Sequence, residues 1–374
     1  MVLVNDARPL RIVLLGTRGI PGNYGGFETF AEELGARLVA RGHEVTVYCR
    51  SHYTSRHLRS HRGVRLVVLP TIQHKYLDTV VHTALSSVHA LRGRYDVALM
   101  CNAANAVFCW LPRLAGTPVA INVDGIERKR QKWNVLGRAW YLVSERLSCW
   151  LANEVVTDAR VIQAYYRTRY GQETTFIPYG CEVRRDAAAA TLEHFGLEPD
   201  GYVLYVSRLE PENNAHAVIA AYEKSELSQK LVIVGDAPYA TEYKATLRRA
   251  AGPGVVFTGG VYGTGYRELQ SHALAYVHAT EVGGTHPALV EAMGFGNAVL
   301  VNDVPENREV AGDAALYFEA ARPDTLAEVL ERVAGDPALR QRCRERARER
   351  AQALFSWDSV ADRYETLFRA LAGP

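Results

Sequence analysis

The sequence predicts an α/β protein of two doubly wound, Rossmann-like domains facing across a cleft. Three observations carry that prediction. The 374 residues are too many for one comfortable hydrophobic core. Short apolar runs alternate with helical stretches along both halves, the pattern of a parallel sheet. Glycine-rich loops join a strand to a helix at Gly16–Gly26 and again near Gly283–Gly284. Composition is that of an ordinary soluble globular protein, with 48% hydrophobic and 22% charged residues. A net charge of +2 gives no electrostatic case for nucleic acid. The six cysteines are scattered without a CxxC pair, several within apolar runs such as CNAANAVFCWL. They read as reduced core residues of a cytosolic protein, with neither zinc nor a disulfide framework. No stretch approaches the roughly 20 apolar residues of a spanning helix, so a membrane contact would be peripheral.

Taken in order, RIVLL at Arg11–Leu15 is a first strand buried on both faces. A glycine-rich loop, a helix over about Phe27–Arg41 and a strand at Glu44–Cys49 complete a strand–helix–strand unit. The loop reads GxxGxxG (Gly16, Gly19, Gly22), and the second strand ends in Cys49-Arg50 without an acid, both of which argue against a nicotinamide cofactor. Gly25 and Gly26 open the helix where a side chain would block a ligand. The alternation continues through strands at Val64–Leu69, Asp96–Cys101 and Val119–Val123. Ligands of such sheets bind beyond the carboxyl ends of the strands, which draws Gly16–Gly26, Asn102 and Asp124 to one crevice. Asp124 is thus a candidate polar group for an acceptor, or a turn-forming Asp-Gly. In ERKRQKWNVLGRAWY, Arg128, Lys129, Arg130 and Lys132 stand beside Trp133, Trp140 and Tyr141. Such a stretch suits an anionic membrane surface, a lipid-linked substrate, or simply a solvated helix face.

EVRRDAAAATLEHFGLEPDG reads as a linker into a second alternating half, with strands at Tyr202–Ser207, Lys230–Gly235, Val255–Thr258, Ala275–His278 and Ala298–Asn302. The boundaries expected are 1–182, 183–355 and a closing helix, 356–374, that crosses back to brace the first domain. The stretch EVGGTHPALVEAMGFG (281–296) runs from a Gly-Gly turn to Pro287 at a helix start. Such a start offers backbone N–H groups and a positive dipole to phosphate, and Glu291, one turn on, could accept hydrogen bonds from a ribose diol. An ordinary core helix behind a glycine turn fits the same residues.

GTRGIPGNYGGFET, NVDGIERKRQKW, FIPYG, SRLEPENN, VGDAPY, HATEVGGTHPALVEAMGFGN, NDVPENREV and FSWDSVADRYETLF occur in this order along nearly the whole chain. In these landmarks the sequence resembles the retaining GT-B glycosyltransferases of the fourth family (group 1), and most closely their rhamnosyltransferase-like branch. The resemblance implies an acceptor-side first domain and a second domain that binds a nucleotide sugar. By the same resemblance, Gly25 and Gly26 admit the donor diphosphate, Arg208 neutralises it, and Glu291 holds the ribose. Gly284, Thr285 and His286 meet the phosphates and sugar, and Val261 lies where the base meets main chain. Three positions depart from the family. Gly283 stands where a glutamate is usual, with Glu281 the candidate substitute. Asn213 replaces a common lysine, for which Arg18 or Arg308 could stand in. Asp124 takes the place of an acceptor-side histidine.

The function implied is metal-independent transfer of a hexose, best L-rhamnose from dTDP-rhamnose, to a saccharide or lipid-linked oligosaccharide in cell-surface polysaccharide synthesis. Asp124, Arg208 and Glu281 are the expected catalytic residues. No cofactor is implied, and the chain would be cytoplasmic with a peripheral contact on the inner membrane. The rivals are a nucleotide-sugar epimerase or hydrolase on the same fold and a non-catalytic sugar-nucleotide-binding protein.

Overall fold

The computed structural model describes residues 8–22, 25–74, 77–130, 133–237 and 240–373. Lys132, one member of the basic stretch, lies outside them. The chain divides into two compact units. The first comprises residues 1–124, 135–178 and 357–374, and the second 125–134 and 179–356.

The first unit opens with β1 (Arg11–Leu15), α1 (Gly26–Ala40), β2 (Glu44–Arg50), β3 (Ser60–His61) and β4 (Val64–Leu69). It continues with α2 (Leu77–Ala90), β5 (Val97–Cys101), α3 (Trp110–Leu114), β6 (Val119–Asn122), α4 (Val135–Leu151), β7 (Glu154–Thr157), α5 (Arg160–Tyr170) and β8 (Thr175–Phe176). Its sheet has the order β3-β4-β2-β1-β5-β6-β7-β8, parallel throughout except for the β3–β4 pair. The uninterrupted aliphatic run of β1, buried from Ile12 to Leu15, is what a strand covered on both faces requires.

The second unit contains α6 (Ala190–His194), β9 (Tyr202–Val206), α7 (Ala215–Lys224), β10 (Lys230–Val234), α8 (Thr241–Ala250), β11 (Val255–Gly259) and α9 (Gly263–His272). Then come β12 (Ala275–His278), α10 (Pro287–Gly294), β13 (Val299–Asn302), α11 (Pro305–Ala311), β14 (Ala315–Phe318), α12 (Pro323–Gly335) and α13 (Pro337–Leu354). Its sheet is wholly parallel, β11-β10-β9-β12-β13-β14. Two core clusters lie in this unit: Val203, Tyr205, Ile219 and Ile233 belong to one, Leu204, Val232, Leu289 and Val290 to the other. Adjacent residues of β9 and of β10 thus alternate between the clusters, as the period of two demands.

The closing α14 (Trp357–Ala372) belongs to the first unit. It lies on α1 through Phe30 and Tyr364, whose ring centroids are 5.3 Å apart, and through Arg37 to Asp358 at 3.0 Å. The stretch read as a linker is instead built into the second unit. Asp186 N donates to Ser271 Oγ (2.9 Å), Thr191 N to Glu268 Oε2 (2.7 Å), and Leu192 and Leu197 are buried. Its polar and alanine-rich composition conceals those two leucine anchors.

Candidate active site

Each sheet has a topological switch point, where strand order reverses and two loops leave the carboxyl edge side by side. In the first sheet it falls between β1 and β5. Gly16 at the end of β1 has φ +89°, and a Cβ there would lie 2.4 Å from Cys101 O at the end of β5. A Cβ on Gly19 (φ +118°) would meet Cys49 Cβ at 2.5 Å. Both glycines therefore serve packing. Gly25 differs: its backbone is extended, and a Cβ would meet only the end of the Glu28 side chain, at 3.3 Å. Gly26 is the first residue of α1. Glu28 is buried and turns back to accept from Arg18 N at 3.0 Å, which ties the loop to the first turn of the helix. The Arg18 guanidinium lies over the Tyr53 ring, 5.4 Å from its centroid. Asp124, just past β6, has φ +55°, and its N–H is held by Asn122 Oδ1 at 3.0 Å. Asn102, past β5, has φ +74°. Non-glycine residues in this region are strained and often mark sites.

In the second sheet the switch point lies between β9 and β12. The loop after β9 carries Arg208, and the loop after β12 carries Glu281–His286. Asn214, left-handed at φ +60°, binds them together by donating to Ala279 O (3.0 Å) and to Glu281 Oε1 (2.9 Å). Glu281 N donates to Glu212 O at 3.2 Å, and the Glu281 side chain is otherwise solvent-facing. Asn213 is buried and turned inward. Its amide donates to Arg208 O at 2.7 Å, so at the place where a lysine was expected a neutral side chain shapes the arginine loop.

The guanidinium of Arg208 reaches Glu210 at 3.8 Å. A second cation shares that carboxylate: Arg130, only 8% exposed, lies 3.9 Å from Glu210 and 2.6 Å from Glu127. The basic stretch thus splits. Arg130 faces the Arg208 loop, whereas the Trp133 indole donates to Glu127 at 3.3 Å. Arg308, one candidate for the second cation, is paired with Asp303 and lies over Tyr317 instead.

Gly283 has little room for a side chain. A Cβ there would lie 2.2 Å from His286 Cε1, and a Cβ on Gly125 would lie 2.7 Å from the Gly283 backbone. Glycine at 125 permits this close main-chain approach, and a glutamate at 283 would crowd the His286 ring. Gly284 and Thr285 are buried, and His286 caps α10, where Pro287 takes the first position. Burial together with His278, Arg130 and Arg208 holds the His286 imidazole well below its usual range, so it stays neutral. His278, at centroid distance 4.7 Å from His286, is pushed down to about 3 by burial. One turn into α10, Glu291 accepts from Tyr266 OH at 2.6 Å. Gln270 donates to that hydroxyl at 2.9 Å and accepts from Asn297 at 3.1 Å. Burial and Glu291 keep the phenol protonated, so this chain of side chains fixes the carboxylate. Val261 lies just before α9, against Gly265.

The second unit therefore brings Arg208, Glu281, Gly284, Thr285, His286, Glu291 and Asn213 to one sheet edge with its neighbouring helix. Gly25, Gly26, Arg18 and Asp124 lie at the corresponding edge of the first. Glu210, Gly125 and Tyr266 carry no sequence reading as site residues, and Arg130 carries one only as part of the basic stretch. Arg130 is one of four basic residues among the five positions 128–132, and nothing in that run singles it out.

A doubly wound pair of parallel sheets, with a cationic loop and a proline-started helix at the second switch point, is the build of a GT-B glycosyltransferase. Comparison with family models agrees for both halves. Residues 25–180 match the glycosyl transferase 4-like domain, and residues 192–350 match the glycosyl transferases group 1 domain. The chain is a GT-B glycosyltransferase. Similar solved structures include a sucrose-phosphate synthase from Thermosynechococcus elongatus (21% identity, 96% of this chain and 98% of that one, TM-score 0.79). HepE from Anabaena, in complex with UDP and glucose, is 17% identical over 96% and 99% of the two chains, with TM-score 0.80. An α,α-trehalose-phosphate synthase (UDP-forming) from Burkholderia vietnamiensis is 11% identical over 96% and 100%, with TM-score 0.72. At these identities the likeness is one of fold. Comparison with curated proteins gives no match.

Proposed function

We propose that the protein transfers a hexose from a nucleotide diphosphate sugar to a hydroxyl of a saccharide or lipid-linked acceptor, with retention of configuration and without a metal. The observation that carries this reading is the convergence of Arg130 and Arg208 on Glu210, with both arginines acting on His286 at the start of α10. Breaking a sugar–phosphate bond leaves negative charge on the diphosphate. Two arginines beside a helix start are preorganised for that charge, which favours the transition state over the bound donor. The second arginine also supplies what Asn213 lacks. Glu291, fixed by Tyr266, suits the ribose diol, and Asp124 is assigned to orienting the acceptor hydroxyl. Solved relatives of the same fold hold UDP with glucose and UDP-glucose, which supports a nucleotide-sugar donor. We assign dTDP-rhamnose as the donor on the sequence landmarks of the rhamnosyltransferase-like branch, and place the enzyme in the cytoplasm with a peripheral membrane contact.

The test is a thermal-shift screen against dTDP, UDP, GDP and their sugar conjugates, with and without EDTA. A ligand that binds only the folded state raises the midpoint in proportion to the logarithm of its concentration over Kd. Stabilisation by dTDP-rhamnose that survives EDTA is expected. A preference for UDP- or GDP-sugars would replace the donor, and loss of the shift with EDTA would overturn metal independence.

A further inference from the structure

Three helices of the first unit form a surface that the proposed transfer does not use. An ordinary surface helix turns its aliphatic stripe inward. Here α2 and α4 are reversed. The buried positions of α2 are His82, Thr83, Ser86, Ser87 and Ala90, and those of α4 are Tyr141, Ser144, Glu145 and Ser148. Outward, α2 presents Leu77, Leu85 and Val88, while α4 presents Val135 (82% exposed), Leu136 (79%), Trp140, Val143 and Trp150 (62%). Between them α3 adds Trp110 and Leu114, and Arg113 of α3 donates to Leu151 O at the end of α4 at 2.9 Å. Of the 15 large apolar side chains exposed among the described residues, 12 lie on α2, α3 and α4 or, as Leu91 does, directly after α2.

The charges on this surface have one sign. Arg92, Arg94, Arg113, Arg138 and Arg146 are exposed. The two acids of the three helices are both engaged elsewhere: Asp78 pairs with Arg50, and Glu145 accepts from Tyr165 and Tyr170 at 2.7 Å each. Arg146 lies over the Trp150 ring, 4.9 Å from its centroid. A second copy of the chain would bring like charges together, whereas an anionic bilayer offers phosphate to the arginines and an apolar boundary to the leucines and tryptophans.

We propose that the α2–α3–α4 face seats the protein on an anionic membrane surface, with its tryptophans and aliphatic residues in the headgroup boundary and its arginines on lipid phosphates. The contact is made by the first unit alone and holds whatever sugar is transferred. It also moves the membrane contact from the Arg128–Trp133 stretch to the helices beside it.

Flotation of the full chain with phosphatidylglycerol–phosphatidylcholine vesicles, against phosphatidylcholine alone, tests it without a donor. Binding only to the anionic vesicles, weakening with salt, is expected. Leu136→Asp with Val143→Asp should abolish it, and Arg138→Glu with Arg146→Glu should weaken it by roughly 25-fold or more. An unchanged thermal midpoint would show that these variants are folded. No binding to anionic vesicles, or binding indifferent to both pairs, overturns the proposal. So does a wild-type dimer in analytical ultracentrifugation that the same substitutions convert to monomer, which would assign the face to self-association.

Discussion

The loop after β1 and the loop after β12 each leave their sheet at its switch point, and both are rich in glycine, yet they are built for different ends. In the first, Gly16 and Gly19 are filled by Cys101 and Cys49, Glu28 holds the Arg18 main chain, and the Arg18 guanidinium lies over Tyr53. In the second, glycines let one main chain approach another, while the neighbouring loops supply two arginines. The difference teaches that a glycine-rich strand–helix loop is not itself an anion site. Cations that converge on it, and what those cations have instead of a ligand, decide its role.

Four experiments would break or sharpen that contrast. The largest effect belongs to Gly283→Glu. Placing a carboxylate at this position forces the His286 ring aside, so donor affinity should fall by more than about 100-fold, read by calorimetric titration, together with a loss of stability of order 3 kcal/mol. An improved affinity would show that the turn accommodates the side chain. Next, Arg130→Ala and Arg208→Ala should each weaken donor binding by about 10- to 150-fold, the worth of a charged hydrogen bond of 1.5–3 kcal/mol. An Arg130 variant that binds normally would leave Arg208 as the lone cation.

The third concerns acid. His278 is buried and its folded pKa lies below the unfolded value, so its contribution to stability is full above about pH 6.5 and is lost as pH falls towards 3. Urea unfolding should therefore show a loss of about 2 kcal/mol from this group between pH 6.5 and 5, which His278→Phe should remove. An identical pH slope in the variant would mean that the ring takes up its proton without unfolding. The smallest effect is expected at Gly25→Ala. Space and an extended backbone allow the methyl group at a cost of only a few tenths of a kcal/mol, so the thermal midpoint should barely move. Donor affinity should nonetheless drop if the diphosphate approaches there, and an unchanged affinity would class Gly25 with Gly16 and Gly19.

Much of the fold was legible because buried parallel strands advertise themselves. Arg11–Leu15, Val64–Leu69 and Ala275–His278 were read with the bounds they have, since such aliphatic runs follow directly from burial. The 17-residue α4 was not delineated as a helix, because its inward face is Ser144, Glu145 and Ser148 and its apolar residues point out. Periodicity locates the greasy side, and here that side is not the core. The candidate site divides in the same way. Arg208 and Glu291 stand in recognisable surroundings, whereas Arg130 acquires its place from a chain crossing that no local pattern records. Tyr266 likewise meets Glu291 only through the packing of α9 on α10.

That crossing has a consequence for anyone who recombines such enzymes. Residues 125–134 belong to the second compact unit although the first unit's chain flanks them on both sides. A chimaera spliced near residue 180, the natural place to exchange one half for a relative's, would combine one parent's Arg130 and Gly125 with another parent's Glu210 and Gly283. On the donor role proposed for these residues, donor specificity would then be inherited in two unlinked pieces, and a faithful exchange must carry the ten-residue insert along with the larger half.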